Sequence, residues 1–175
     1  MALSKIQSES INLADTFAFT GTVSGAISFA VVSDQKTSGT AGGTPPSTGF
    51  ETRDLNTEVF DPDGIVTVSS NQFTLIAGTY IIDWECPHYR GNSATSVLYD
   101  ITGTATVETS TSGYDFTTSG MTVGLTTGRA RVVITSNNTY EIRMKVSAAY
   151  ASVGYGVAAN GNPETYTTVR IMKIG

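Results

Sequence analysis

Residues 71–90 read NQFTLIAGTYIIDWECPHYR. The pattern is one strand, a tight corner at Ala77-Gly78, and a second, longer strand. In the second strand Tyr80, Ile82, Trp84 and Cys86 share one face, while Ile81, Asp83 and Glu85 share the other. Side chains alternate across a strand, so this spacing aims an apolar stripe at a core and acids at water. The only Trp, Cys and His (His88) of the chain all fall within these twenty residues. Any reading of catalytic chemistry must therefore begin here too.

The surrounding composition agrees with a β protein. The chain has 175 residues, enough for one domain with a sizeable core and short for two. Charged residues make up 14% and hydrophobic ones 39%; Thr, Ser and Gly fill the difference, as expected for many short strands. One cysteine excludes an intrachain disulfide, so packing alone, or packing with oligomerisation, must hold the core. The net charge of -5, with no basic patch, argues against a nucleic-acid partner and against docking on an anionic membrane. No apolar run approaches the ~20 residues of a membrane span. The first residues, MALSKIQSESINLADTF, carry one Lys5 and no continuous apolar stretch, and are expected not to be a secretory signal.

Residues 1–25 lack a sustained period and read either as an extended attachment arm, with Ile11, Leu13, Phe17 and Phe19 as its packing residues, or as a frayed terminus. Residues 26–33 (AISFAVVS) form the first good strand, with Ile27, Phe29 and Val31 on one face. Residues 34–49, rich in Gly, Thr, Ser and Pro, read as a long exposed loop. Residues 50–60 make a strand, or two broken near Asn56. Asp61-Pro62-Asp63-Gly64 is a turn, and Ser70-Asn71 turns residues 65–69 into the central element, read as a hairpin. Strands are predicted at 95–102, with Val97, Tyr99 and Ile101 on one face, at about 105–108, at 121–127 and at 129–134. A hairpin turn at Ser136-Asn137-Asn138, using left-handed Asn, leads to residues 140–146, where Tyr140, Ile142, Met144 and Val146 face one way. Residues 150–156 read as a glycine-containing strand and 165–174 as the last one. Eight to ten short strands with no credible helix imply an antiparallel β-sandwich.

Several landmarks line up with a known family. The element Phe73-Thr-Leu-Ile-Ala-Gly78-Thr-Tyr80 follows the Asp61-Pro-Asp-Gly64 turn, and the apolar strand Val169-Arg-Ile-Met-Lys-Ile174 closes the chain. Over roughly residues 26–175 this resembles the tumour-necrosis-factor-like jelly roll, which includes the globular heads of complement's first component. The segment SINLADTFAFTGTVSGA ahead of such a head looks like short bacteriophage fibre and tail-tip proteins. The resemblance implies a jelly-roll head (residues 26–175) in a homotrimer, with the last strand near the threefold axis. It places Val169 and Ile171 on one face and Met172 and Ile174 on the other as trimer-interface residues.

Catalytic and metal chemistry finds little support in the residues. Cys86 and His88 are separated by Pro87, expected to disrupt the strand; Cys86 is read as a small core residue and His88 as lying at a strand end. Asp61 and Asp63 before Gly64 make an incomplete calcium loop and are read as a turn. Asp83 and Glu85 share a strand face and could serve a glycosidase, yet are better read as a rim beside Arg or Lys of a neighbouring strand. Asn137-Asn-Thr139 matches a glycosylation sequon and is read as a turn. No catalytic residue, metal site or cofactor is expected.

Binding is left to the loops at 37–48, 109–120 and 155–164, whose Tyr, Ser, Gly and Asn suit adaptable recognition. Tyr114, Asp115, Phe116, Tyr155 and Asn160 are the candidates. Tyr114 and Phe116 offer aromatic faces to sugar rings and Asp115 a hydroxyl acceptor; equally, the aromatics could pin their own loop. The expectation from the resemblance is a non-enzymatic bacteriophage virion protein assembled in the host cytoplasm. In it a trimeric head meets a host glycan or protein while the arm docks on other virion proteins. The alternatives are a capsid decoration or head-fibre protein with a purely structural role and, behind it, a carbohydrate-active enzyme.

Overall fold

The computed structural model of the chain describes residues 27–46, 48–115 and 123–175. The arm residues Ile11, Leu13, Phe17 and Phe19, and the loop residue Phe116, lie outside the described residues. Twelve strands are present among those described: β1 (Ser28–Lys36), β2 (Glu51–Thr52), β3 (Thr57–Phe60), β4 (Val66–Ser69), β5 (Gln72–Leu75), β6 (Gly78–Tyr89), β7 (Ser93–Asp100), β8 (Ala105–Thr109), β9 (Gly113–Tyr114), β10 (Val123–Ile134), β11 (Asn138–Val146) and β12 (Glu164–Lys173). One sheet has the order β10-β6-β12-β1-β3. The other runs β4-β5-β11-β7-β8, with β2 also on β11 and β9 also on β7. The two-residue strands β2 and β9 extend positions already held by β5 and β8, so the second sheet is also five positions wide. All pairings are antiparallel, and the fold is the expected all-β jelly-roll sandwich.

The alternation read in residues 71–90 is realised. Tyr80, Ile82, Trp84 and Cys86 are all buried between the sheets. Facing them from β11 are Tyr140, Ile142, Met144 and Val146, equally buried. The connections differ from the expected hairpins. β5 and β6 belong to opposite sheets, so the Ala77-Gly78 corner carries the chain across the sandwich. A Cβ on Gly78 would meet the Gly175 carbonyl oxygen at 2.9 Å, because the end of β12 closes on the start of β6 there. Tyr80 Oη donates to the Ile76 carbonyl at 2.8 Å and braces the corner. The turn after β10 likewise changes sheets, and none of Ser136, Asn137 and Asn138 adopts positive φ. The genuine two-residue hairpin is Ser70-Asn71 between β4 and β5, with φ of 54° and 63°, the double left-handed pattern of a type I′ turn.

Three other strand readings are corrected. Residues 123–134 form one continuous strand, not two, because β10 pairs with β6 along its whole length. Residues 150–156 form turns, not a strand: Gly154 N bonds Tyr150 O, Gly156 N bonds Val153 O, and Gly42 and Gly43 pair with this segment instead of a sheet neighbour. Pro87 does not break β6. β12 pairs with β6 only as far as Glu85, and Tyr89 N, on the same strand edge as the proline nitrogen, donates to the Gly154 carbonyl. Pro87 therefore lacks a donor where no ladder asks for one.

Trp84 ties the sheets together. Its indole N–H donates to Ser96 Oγ of β7 at 2.9 Å. Ser96 in turn bonds Thr126 Oγ1 at 2.8 Å, and Thr126 donates to the Cys86 carbonyl at 3.4 Å. The core face of β7 is accordingly Ala94, Ser96 and Leu98, with Val97 and Tyr99 on its other face. The indole lies over Gly128, its cross-strand partner, and a Cβ there would fall inside the ring. Gly128→Ala is expected to lower stability by about 2–3 kcal/mol through this overpacking. Urea unfolding followed by Trp84 fluorescence at fixed protein concentration measures it; a variant as stable as the parent would refute this account of Gly128.

Candidate functional site

Register places the loops. Lys36 pairs with Glu164, Val123 with Tyr89, and Ala94 with both Val146 and Gly113. One end of the sandwich therefore collects residues 37–50, 90–92, 110–115 and 147–163. The described residues of all three candidate loops lie at this end. The opposite end holds the turns at 61–64, 76–77, 101–104 and 135–137, whereas the Ser70-Asn71 turn caps the other end of β5, beside Asp54. Ser28 pairs with Lys173 at the opposite end, so the described chain begins at the end away from the loops.

The candidate residues behave differently from one another. Tyr114 is 71% exposed and stands across the β7–β9 ladder from Ser93. Asn160 is exposed with φ of 59°. Asp115 does not face solvent: it is buried, and its Oδ2 accepts from His88 Nδ1 and from Gly91 N, each at 3.1 Å. Its carboxylate is thus an anchor for the loop rather than an acceptor for a ligand hydroxyl. Tyr155 is also buried. Its ring lies under the Arg53 guanidinium, whose Cζ is 3.8 Å from the centroid, and burial pushes its hydroxyl pKa up to about 12. Sequence reasoning took both for surface residues because they sit in glycine-rich, polar segments.

Two buried polar residues escaped the sequence reading. His88, next to last in β6 and so at the strand end as expected, is fully buried. The imidazole fits because Gly113 and Gly124 have no side chains; a Cβ on Gly113 would meet Nε2 at 2.8 Å, and one on Gly124 would fall inside the ring. A carboxylate only accepts, so Nδ1 carries the proton shared with Asp115. Arg53 is enclosed between loop and sheet: Nε donates to Thr167 Oγ1 at 2.7 Å and Nη2 to the Tyr155 carbonyl at 3.3 Å. Burial lowers its pKa. The signal for His88 lay in glycines distant in sequence; for Arg53, between Thr52 and Asp54, there was none.

Cys86 is an enclosed core residue, as expected, and burial raises its thiol pKa, which disfavours the nucleophilic thiolate. Asp83 and Glu85 form the expected rim. Arg129 of β10 grips both oxygens of Asp83, with Nη2 at 3.1 Å from Oδ2, and Arg170 of β12 bonds Glu85 at 2.9 Å. Asp61 serves the turn, accepting from Ile65 N at 3.1 Å and Val66 N at 2.8 Å. Among the described residues no cluster of His, Cys, Asp and Glu could hold a metal ion.

Two surfaces remain. The first is the outer face of the sheet β10-β6-β12-β1-β3. Phe29 and Phe60 pack ring to ring at 6.3 Å, and Ile27 (64% exposed), Val133 (59%) and Ile174 lie on the same face, with the ion pairs of Asp83 and Glu85 on their loop side. Of the four predicted interface residues, Met172 and Ile174 fall on this face. Val169 and Ile171 are fully buried on the opposite face, inside the sandwich, because residues two apart in a strand point the same way and that way is the core. The second surface is a pocket of about 430 Å³ at the loop end, lined by Thr48, Gly49, Ser93–Thr95, Ser112 and Lys145–Ser147.

No family model matches the chain, and no curated protein matches it in sequence. Solved structures do. Crystal structures of murine APRIL at pH 8.0 and pH 5.0 superpose with a TM-score of 0.52 at 7% and 8% identity, covering 85% of this chain and 99% of theirs. The globular domain of zebrafish complement 1qA covers 85% of this chain and 96% of its own, at 12% identity and a TM-score of 0.48. At such identities the likeness is one of fold: the chain adopts the tumour-necrosis-factor-like jelly roll of the APRIL structures.

Burial holds His88 below its ordinary pKa of 6.5, against the opposing pull of Asp115. The unfolded chain thus takes up this proton at higher pH than the folded one. The stability that goes with burying His88 as a neutral imidazole is whole above pH about 6.5 and is lost as pH falls toward the folded value, where the buried ring must take up charge. The urea midpoint should drop from pH about 7.5 to about 5, and His88→Asn, which retains a donor near the Nδ1 position, should flatten that drop. Asp34, whose pKa burial raises, acts with the opposite sign in both proteins and cancels in the comparison. Equal slopes would rule out His88 as the source. Cys86 should react with a thiol reagent only on unfolding; stoichiometric labelling of the native protein would contradict its enclosure.

Proposed function

We propose that the chain is the head of a homotrimeric attachment protein on a bacteriophage particle, without catalytic activity. Residues 1–25 dock on neighbouring virion proteins. Residues 26–175 form the head, and its loops meet a host glycan or protein. The observation that carries this reading is the outer face of the sheet β10-β6-β12-β1-β3. Its other face already forms the core, yet it exposes Phe29, Phe60, Val133 and Ile174 together. A contiguous apolar face on a small soluble domain calls for a cover. The occupant is two further copies of the same chain, each using this face. The jelly-roll resemblance implies that arrangement, and the Asp83–Arg129 and Glu85–Arg170 pairs supply both charge signs in each copy.

The polarity of the sandwich supports the same reading. The described chain starts at one end, at Ile27, and Tyr114 and Asn160 stand exposed at the other. An arm bound to a particle at one end and recognition loops at the other is the layout that attachment needs. Three copies strengthen a weak contact through effective concentration, by roughly 10²-fold or more. The engagement of Asp83 and Glu85 by arginines supports a non-enzymatic head.

Light scattering on the purified chain should give three times the chain mass. Phe29→Asp and Val133→Asp, at positions partly open in the single chain, should give a folded species of one chain mass. A parent protein that stays monomeric at concentrations on the order of 10 μM would overturn the trimer. The attachment reading is checked by binding of the protein to host cells and its loss on Tyr114→Ala with Phe116→Ala; a trimer that binds no host would favour a capsid decoration protein.

A further inference from the structure

The pocket at the loop end has a lining with a definite chemistry. Thr48, Ser93, Thr95, Ser112 and Ser147 bring five hydroxyl side chains to it, and Lys145 brings an ammonium. No acidic side chain lines it, in a chain whose net charge is -5. Lys145 is exposed and has no carboxylate partner among the described residues; its Nζ stands 5.0 Å from the ring centroid of Phe50. Tyr114, 71% exposed, stands opposite the lining residue Ser93 in the β7–β9 ladder.

These parts are held in place. β11 and β7 fix Lys145 opposite Thr95. Ser147 Oγ accepts from Ser93 N at 3.1 Å, which joins the two sides of the floor. The buried Asp115, bonded to His88 and Gly91, anchors the residue next to Tyr114. The site is therefore built on strands and a pinned loop, which favours a preformed geometry.

We infer that this pocket binds a carboxylate-bearing sugar, a uronic acid unit of a host glycan. The volume of about 430 Å³ suits one or two sugar rings. The hydroxyl side chains can both donate to and accept from sugar hydroxyls. The exposed Tyr114 offers an aromatic surface to the C–H side of a sugar, and Lys145 pairs with the carboxylate. A single ammonium matches a single negative charge. A phosphate dianion would instead call for a second cation or an arginine fork, and Lys145 is the one cationic side chain in the lining.

The inference deepens the recognition reading above and rests on it. Its test is titration of the full chain with methyl β-D-glucuronide, methyl β-D-glucoside and glucose 6-phosphate, followed by ligand-observed NMR. The glucuronide should bind with Kd on the order of 1 mM, as expected of a single unit. The glucoside and glucose 6-phosphate should bind at least tenfold more weakly. Lys145→Met should weaken the glucuronide about tenfold without changing the glucoside, and Tyr114→Ala should weaken both. Both variants are at exposed positions, and their melting curves verify the fold. No glucuronide binding, equal binding of the three probes, or an unchanged Lys145→Met variant overturns the inference. Mass in the same buffer separates the two readings. A monomer that binds glucuronide leaves the pocket standing and removes the trimer; a trimer that does not bind it does the reverse.

Discussion

The indole of Trp84 is the contact on which the sandwich depends. It rises from β6, lies over the bare backbone of Gly128 and donates across the interior to Ser96 of the other sheet. The bond continues through Thr126 to the Cys86 carbonyl, so an oriented chain of donors runs between the sheets with each hydroxyl satisfied. A buried tryptophan needs a partner for its N–H and room for its rings. Ser96 meets the first need and Gly128 the second. The rest of the core closes around this arrangement: Ile82, Val169 and Ile171 from one sheet, Leu98, Ile142 and Met144 from the other.

The same economy shapes the loop end. Long connections carry backbone polar groups that must be satisfied, and here buried side chains satisfy them. His88 and Asp115 secure the strand of Tyr114 and the backbone of Gly91. Arg53 and Tyr155 secure the segment at 150–156, which in turn pairs with Gly42 and Gly43. Glu164 accepts from Gly39 N and Ala159 N, and these bonds hold its carboxyl below the usual range. The polar residues of this end divide into those that hold the loops and those, such as Tyr114 and Asn160, that stand exposed beside them, with Lys145 presented by β11.

Much of the fold was legible because its signals are local. Period-two alternation in β6 and β11 named the core residues correctly, and Asp61-Pro62-Asp63-Gly64 named a turn whose Gly64 takes φ of 64°. The pairing of Asp83 and Glu85 with arginines followed from their shared face. The errors arose where local pattern is ambiguous. A two-residue corner between apolar runs looks alike whether it closes a hairpin or changes sheets, and the corners at Ala77-Gly78 and residues 135–137 change sheets. Thr126, Thr127 and Gly128 interrupt the apolar pattern of β10, so it read as two strands; yet Thr126 bonds inside the core and Gly128 makes room for Trp84.

The sequence by itself determined the class of the protein: an all-β sandwich with one core, an apolar closing strand and polar loops. Alternation along a strand is a property of the backbone and needs no partner to be seen. Only the tertiary structure decided which way each face points and which distant residues meet. Val169 and Ile171 turn inward while Met172 and Ile174 turn outward, because β12 lies at the centre of a sheet that has its core on one side. Asp115 and Tyr155 leave the surface because His88 and Arg53 wait for them in the interior. Lys145 and Ser93, far apart in the chain, meet at one pocket because β11 and β7 lie side by side, and β9 sets Tyr114 across from Ser93.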